Sequence, residues 1–165
     1  MNVFLPYSDY QKSIECLDKK RCMKQALEAK QLIDGLLGLG SLTWTRHPAS
    51  RMFRDNINSL IKYYNLCLEH SIKHHKINFV KLKYIPSLPN LTDQDPVWLG
   101  YEPFHSRMRA RLLHKDSHYQ KFGWTEEPVN EKEGYIWPVD KSFSLIGEIR
   151  EFQRNRNKPE MGNVL

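Results

Sequence analysis

The chain has 165 residues, a length that suits one domain. Hydrophobic residues make up 40% and charged residues 27%, which excludes a disordered chain, and no apolar run approaches the roughly 20 residues of a membrane span. A net charge of +6, counted with seven histidines neutral, favours polyanionic partners.

The first residues, Met-Asn-Val-Phe-Leu-Pro-Tyr, are apolar from the third position, although most chains fray at their ends. No Lys/Arg stretch precedes an apolar segment, so a cytoplasmic chain without a secretory signal is expected. Ser8 and Asp9 suit helix N-caps. A short helix over residues 9–17 should lead into a longer one over 18–37. There Cys22, Ala26, Ala29, Ile33, Leu36 and Leu37 share a face, and Gly38-Leu39-Gly40 ends it. A second long helix is predicted from His47, with Pro48 in its first turn. Met52, Phe53, Ile57, Leu60, Ile61, Tyr64, Leu68 and Ile72 keep the helical period over it. Its basic end, His70 to Lys76, suits either the helix macrodipole or a DNA phosphate.

Pro86, Pro89 and Pro96 make residues 79–101 irregular. A third helix is predicted over 103–114, then an aromatic segment over 118–124 and an acidic loop over 125–134. An extended Tyr135-Ile-Trp-Pro138 and a last helix over 142–156 follow. The reading is an all-α, compact single domain over 1–157. It has four to five helices, long irregular connections and a frayed tail over 158–165. Cys16, Cys22 and Cys67 are odd in number and form no C-x-x-C pair, so reduced thiols and no metal site are expected.

On a wheel of roughly 100° per residue, Arg21, Lys24 and Glu28 leave the apolar face together, with Gln25 and Gln31 flanking and Lys20 and Lys30 adding charge. This can be a solvated face with a Lys24–Glu28 pair, or one carboxylate in a basic groove that holds phosphates. Spacing alone does not separate the two. The third helix carries His105, Arg107, Arg109, Arg111, His114 and Lys115 with no acid among residues 105–115, so an anionic partner is a natural compensation. Aromatic residues follow at once, and Phe122 and Trp124 suit either a core or stacking on displaced bases.

The ordered set of Met-Asn-Val-Phe-Leu, Leu17-Asp-Lys-Lys-Arg21, Leu27-Glu28-Ala29, Arg46-His-Pro48 with Arg51, and Tyr119-Gln-Lys-Phe-Gly-Trp124 resembles the pyrimidine-dimer DNA glycosylase family of the phage endonuclease V type. The resemblance runs over about residues 1–124. It implies an all-α monomer acting on double-stranded DNA, bacterial or virus-encoded, needing no metal or organic cofactor. It implies a glycosylase with AP lyase activity, whose N-terminal amine is the nucleophile and whose acid/base is a glutamate on the first long helix. By motif these are Met1 and Glu28. DNA contacts would come from Asn2, Lys20, Arg21, Lys24, Gln25, His47, Arg51, Arg107, Arg109 and Arg111. The aromatic motif would be Tyr119, Lys121, Phe122 and Trp124.

Two departures stand out. The family's arginine before the glutamate is Leu27 here, and Arg21 or Lys24 can supply the charge. Asn2 is too large for efficient removal of Met1, which aligns with the nucleophile. An α-amine has a reference pKa near 7.7–8.0, so roughly 10–20% is unprotonated near pH 7. Attack at C1′ displaces the base, and the resulting iminium acidifies C2′–H for β-elimination. The alternatives are a glycosylase for another damaged or modified pyrimidine, and a non-catalytic nucleic-acid-binding protein of the same fold. His47 can contact DNA or cap the second helix.

Overall fold

Asp9 and Asp18 each accept a backbone N–H of the turn they precede, at 2.7 Å from Lys12 and 3.0 Å from Arg21. Such caps satisfy donors that a helix start leaves unpaired. In the computed structural model, which describes residues 1–159, they open α1 (Tyr10–Glu15) and α2 (Lys19–Leu36). The helices that follow are α3 (Leu42–Thr45), α4 (Pro48–Arg51), α5 (Ile57–His75), α6 (Glu102–Lys115) and α7 (Gly147–Arg156). Single 3-10 segments cover Ser117–Phe122 and Glu131–Glu133. The all-α class holds: among the described residues the β pairing is one bridge, Val139 to Leu145. One buried cluster runs from Val3 to Ile149. The expected tail falls largely on 160–165, outside the described residues.

Past the end of α2 comes Gly38, whose φ of +72° is free only for glycine. Gly35 lets the chain fold back. A β-carbon there would sit 3.0 Å from that of Trp44, so α3 could not lie so close against α2.

Two predicted helices differ from expectation. The second is broken: α4 ends at Arg51 and α5 starts at Ile57. Between them, bonds such as Asn56 N–H to the Phe53 carbonyl span three residues, and Asn56 leaves helical geometry (φ −137°, ψ 49°) to bond the Gln94 carbonyl. Met52, Phe53 and Ile57 are all buried, so burial preserves the apolar rhythm through the break. The last helix begins at Gly147 because Asp140 Oδ1 accepts the Ser142 and Ser144 amides and holds a turn there. The basic end of α5 is internally occupied: Lys73 pairs with Glu69, and the His70 and His74 rings stack at 4.4 Å.

Candidate active site and nucleic-acid cleft

Residues 2–7 form a strap of irregular backbone, held by side chains rather than by a β-sheet. The Asn2 amide donates to Glu28 Oε2 (3.2 Å), and Gln25 Nε2 donates to the Asn2 carbonyl (3.1 Å). Gln25 Oε1 accepts the Phe4 amide (2.7 Å), and the Tyr63 hydroxyl lies 3.0 Å from the Phe4 carbonyl. His105 Nδ1 reaches the Leu5 carbonyl (2.8 Å), Arg109 Nη1 donates to the Pro6 carbonyl (2.7 Å), and Ser13 Oγ bonds both polar groups of Tyr7. Val3 and Leu5 are fully buried. Buried backbone groups must find partners, and here α2, α5 and α6 each contribute some. The order expected at the start of the chain therefore has named causes.

The strap ends at a cleft of about 460 Å³. Met1 and Asn2 line it with Lys20, Arg21, Lys24, Gln25 and Glu28 from α2 and Arg111 and Lys115 from α6. Glu28 is buried, and Gln25 Nε2 donates to its Oε2 (3.2 Å) beside the Asn2 amide. Lys24 Nζ stands 3.6 Å from Oε1. The i,i+4 pair is present, but the face is not simply solvated: its carboxylate is buried and lines a cationic cleft. The direct bond to Glu28 is made by the Asn2 amide, and the Met1 amine lies one residue further along.

His47 caps α4, with Nδ1 accepting the Ala49 amide at 3.1 Å. Burial lowers its pKa first, then the positive chain terminus and Arg51, while Glu28 opposes them. His47 is therefore within electrostatic reach of both the Met1 amine and Glu28. Its ring meets Trp44 and Trp137 edge-on at 5.8 and 6.0 Å.

Other candidates are turned to internal work. Arg109, read as a DNA contact, is spent inside the protein: Nε binds Glu126 (2.6 Å), Nη2 binds Glu102, and Nη1 holds Pro6. The acids missing from residues 105–115 come from the start of α6 and from the acidic loop. His105 is a buried neutral imidazole, since Nε2 accepts the Gly100 amide at 3.0 Å. Tyr119 is fully buried and cannot meet a base: its hydroxyl donates to Asp18 Oδ2 (2.6 Å), fixing the cap of α2. Burial first, then Asp18, raises the Tyr119 pKa far above its usual value. Arg21 is half-buried, its Nη1 2.8 Å from Asp18 and 3.6 Å from Asp116.

Phe122 and Trp124 stack on each other at 5.2 Å, and Trp124 donates to the Tyr7 hydroxyl (2.8 Å). They and exposed Lys121 lie outside the cleft, as do Arg51, which bonds the Arg46 carbonyl, and Arg107, 3.4 Å from the Glu133 carbonyl. The sequence reading omitted Tyr135, Trp137 and Glu131, which also line the cleft. The signal for them was Tyr-Ile-Trp-Pro directly after an acidic loop, whose return to the first helix no local pattern encodes.

The site is thus a strapped terminus beside a buried carboxylate in a cationic cleft on a helical fold. Residues 1–81 match the model of the pyrimidine dimer DNA glycosylase family. The match holds the strap, α2 and all of α5, and bears out the resemblance read from the sequence over that stretch. No curated protein and no solved structure matches the chain. The family acts on DNA, and no helix among the described residues is long and apolar enough to cross a membrane.

Proposed function

We propose that this protein is a bifunctional DNA glycosylase and AP lyase for pyrimidine dimers in duplex DNA, formed by one domain over residues 1–157 and acting as a monomer. The observation that carries the reading is the strap, which delivers Met1 to the cleft that holds Glu28. The unprotonated Met1 amine attacks C1′ of the damaged nucleotide, and the glycosyl bond breaks as the base leaves with its electron pair and takes up a proton. Opening of the sugar ring gives the iminium. Loss of the C2′ proton then expels the 3′ phosphate and nicks the strand.

Glu28 sits where it can stabilise the cation and relay protons. Lys20, Lys24 and Lys115 face the cleft and suit the flanking phosphates. The chemistry calls on no metal or organic cofactor.

Borohydride trapping tests this reading. Duplex DNA carrying one cyclobutane dimer or one abasic site should give a covalent protein–DNA adduct on reduction. The adduct should vanish when an extra residue precedes Met1. Glu28→Gln should lower single-turnover cleavage by about 10²–10⁴-fold. A protein that traps neither DNA refutes the lyase reading, and trapping at the abasic site alone points to another modified pyrimidine as substrate.

A further inference from the structure

A second hollow, of about 470 Å³, adjoins the cleft and shares Arg111, Lys115 and Glu131 with it. His114 from the last turn of α6 and Asn130 and Lys132 from the acidic loop complete its lining. All of these residues lie beyond residue 81, where the family match ends. The loop is tied to α6 by its backbone: the Val129 amide donates to the Ala110 carbonyl (3.1 Å), and Arg111 Nη1 donates to the Val129 carbonyl (3.0 Å).

We propose that this hollow is a phosphate subsite, which takes a backbone phosphate of the DNA strand held at the cleft. The inference rests on the DNA reading above and deepens it, but it calls on no covalent step. Three observations carry it. First, the two spaces are continuous, so a strand at Met1 and Glu28 meets Arg111 and Lys115 as it leaves the cleft.

Second, the cations here are not satisfied within the protein. Lys115 Nζ and Arg111 Nη2 each stand 3.9 Å from Glu131, beyond hydrogen-bond reach, and neither has a hydrogen-bond partner among the described residues. Glu131 is 83% exposed, and it is the one acid facing Arg111, Lys115 and Lys132 in the hollow. Arg109 on the same helix differs, because Glu102 and Glu126 hold it. A phosphate oxygen is the acceptor that guanidinium and ammonium donors suit. Third, like charge crowds this corner. Burial first, then Arg111, lowers the Lys115 pKa, and Arg21 and Lys24 add to the lowering against Glu131. A bound anion relieves that repulsion. The carbonyl end of α6 would repel an anion, but Arg21 Nη2 covers the Lys115 carbonyl at 3.4 Å.

Equilibrium binding to a duplex with a tetrahydrofuran abasic analogue, which forms no imine, tests the subsite apart from the lyase chemistry. Lys132 is exposed and its side chain makes no hydrogen bond or ion pair among the described residues, so Lys132→Met should fold normally. It should weaken binding by about three- to tenfold and make the slope of log affinity against log salt shallower by about one. Lys141→Met removes an equally exposed charge outside both spaces. It should leave the slope unchanged and affinity within about twofold. A neutral methylphosphonate placed in turn at each phosphate flanking the analogue then locates the contact. At one position it should cost the wild-type protein about as much as Lys132→Met does, and cost that variant nothing more.

Equal losses in Lys132→Met and Lys141→Met, or no phosphate whose neutralisation Lys132→Met masks, overturn the subsite. Inorganic phosphate should displace the duplex no better than chloride at equal ionic strength. A phosphate-specific displacement that Lys132→Met abolishes would mean a free-anion site and overturn the DNA assignment. A wild-type protein that traps no abasic DNA yet shows the Lys132 pattern loses the lyase reading and keeps the subsite, whereas one that binds no DNA loses both.

Discussion

α2 and α6 look alike in sequence, each rich in cations at helical spacings, yet the fold uses them oppositely. α2 presents Lys20 and Lys24 to the cleft, where Lys24 is 66% exposed. α6 turns Arg109 inward, 12% exposed, to bind two acids and the strap. Arg111 is intermediate: it lines the cleft at 3% exposure, with its Nη1 on the Val129 carbonyl. A run of cations therefore says nothing by itself about whether its counter-charge is a ligand or the protein. That is decided by where distant acids, here Glu102, Glu126 and Glu131, come to rest.

The contrast can be broken at several points. Arg109→Met should be the costliest, because it leaves Glu126 part-buried without its partner and frees the Pro6 carbonyl. A loss of about 3 kcal/mol is expected in urea unfolding, with the salt dependence of DNA binding unchanged. If the salt slope falls and stability does not, Arg109 contacts DNA after all.

Acid should expose the same inward face. Burial lowers the pKa of His105 below the ordinary 6.5. The unfolded chain then takes up a proton that the folded one refuses. This contribution is present in full above about pH 6.5 and is lost as pH falls below it. The urea midpoint should drop between pH 7 and pH 5, and it should drop less in His105→Gln.

Lys24→Met should give the opposite pattern to Arg109. Stability should move by less than about 0.5 kcal/mol, while the slope of log affinity against log salt should become shallower by about one. The smallest effect is expected at Glu131, whose exposed carboxylate stands 3.9 Å from both Arg111 and Lys115. Glu131→Gln should tighten DNA binding two- to fivefold (about 0.4–1 kcal/mol), and Glu133→Gln in the same turn should not. Equal gains in both variants would mean that only net charge matters.

Much of this molecule was legible locally. The cap Asp9, the buried face of α2, the stop at Gly38 and the extent of α6 all follow from interactions within a few residues. The candidacy of Met1, Asn2 and Glu28 came instead from the resemblance to a known family, whose motifs at these positions fall within the matched stretch. What failed locally was whatever required a second element. The break before α5 depends on Asn56 finding Gln94, and Tyr119 left the list of DNA contacts because it found Asp18, a hundred and one residues away.

Sequence alone thus determined the helices, their capping and the presence of one acid on a basic face, since periodicity and caps are short-range properties. Tertiary structure decided which cations are free, which histidines are neutral, and that Tyr135 and Trp137 wall the cleft. Those outcomes depend on long-range pairing and burial, which set a side chain's charge, partners and exposure independently of its neighbours in the chain.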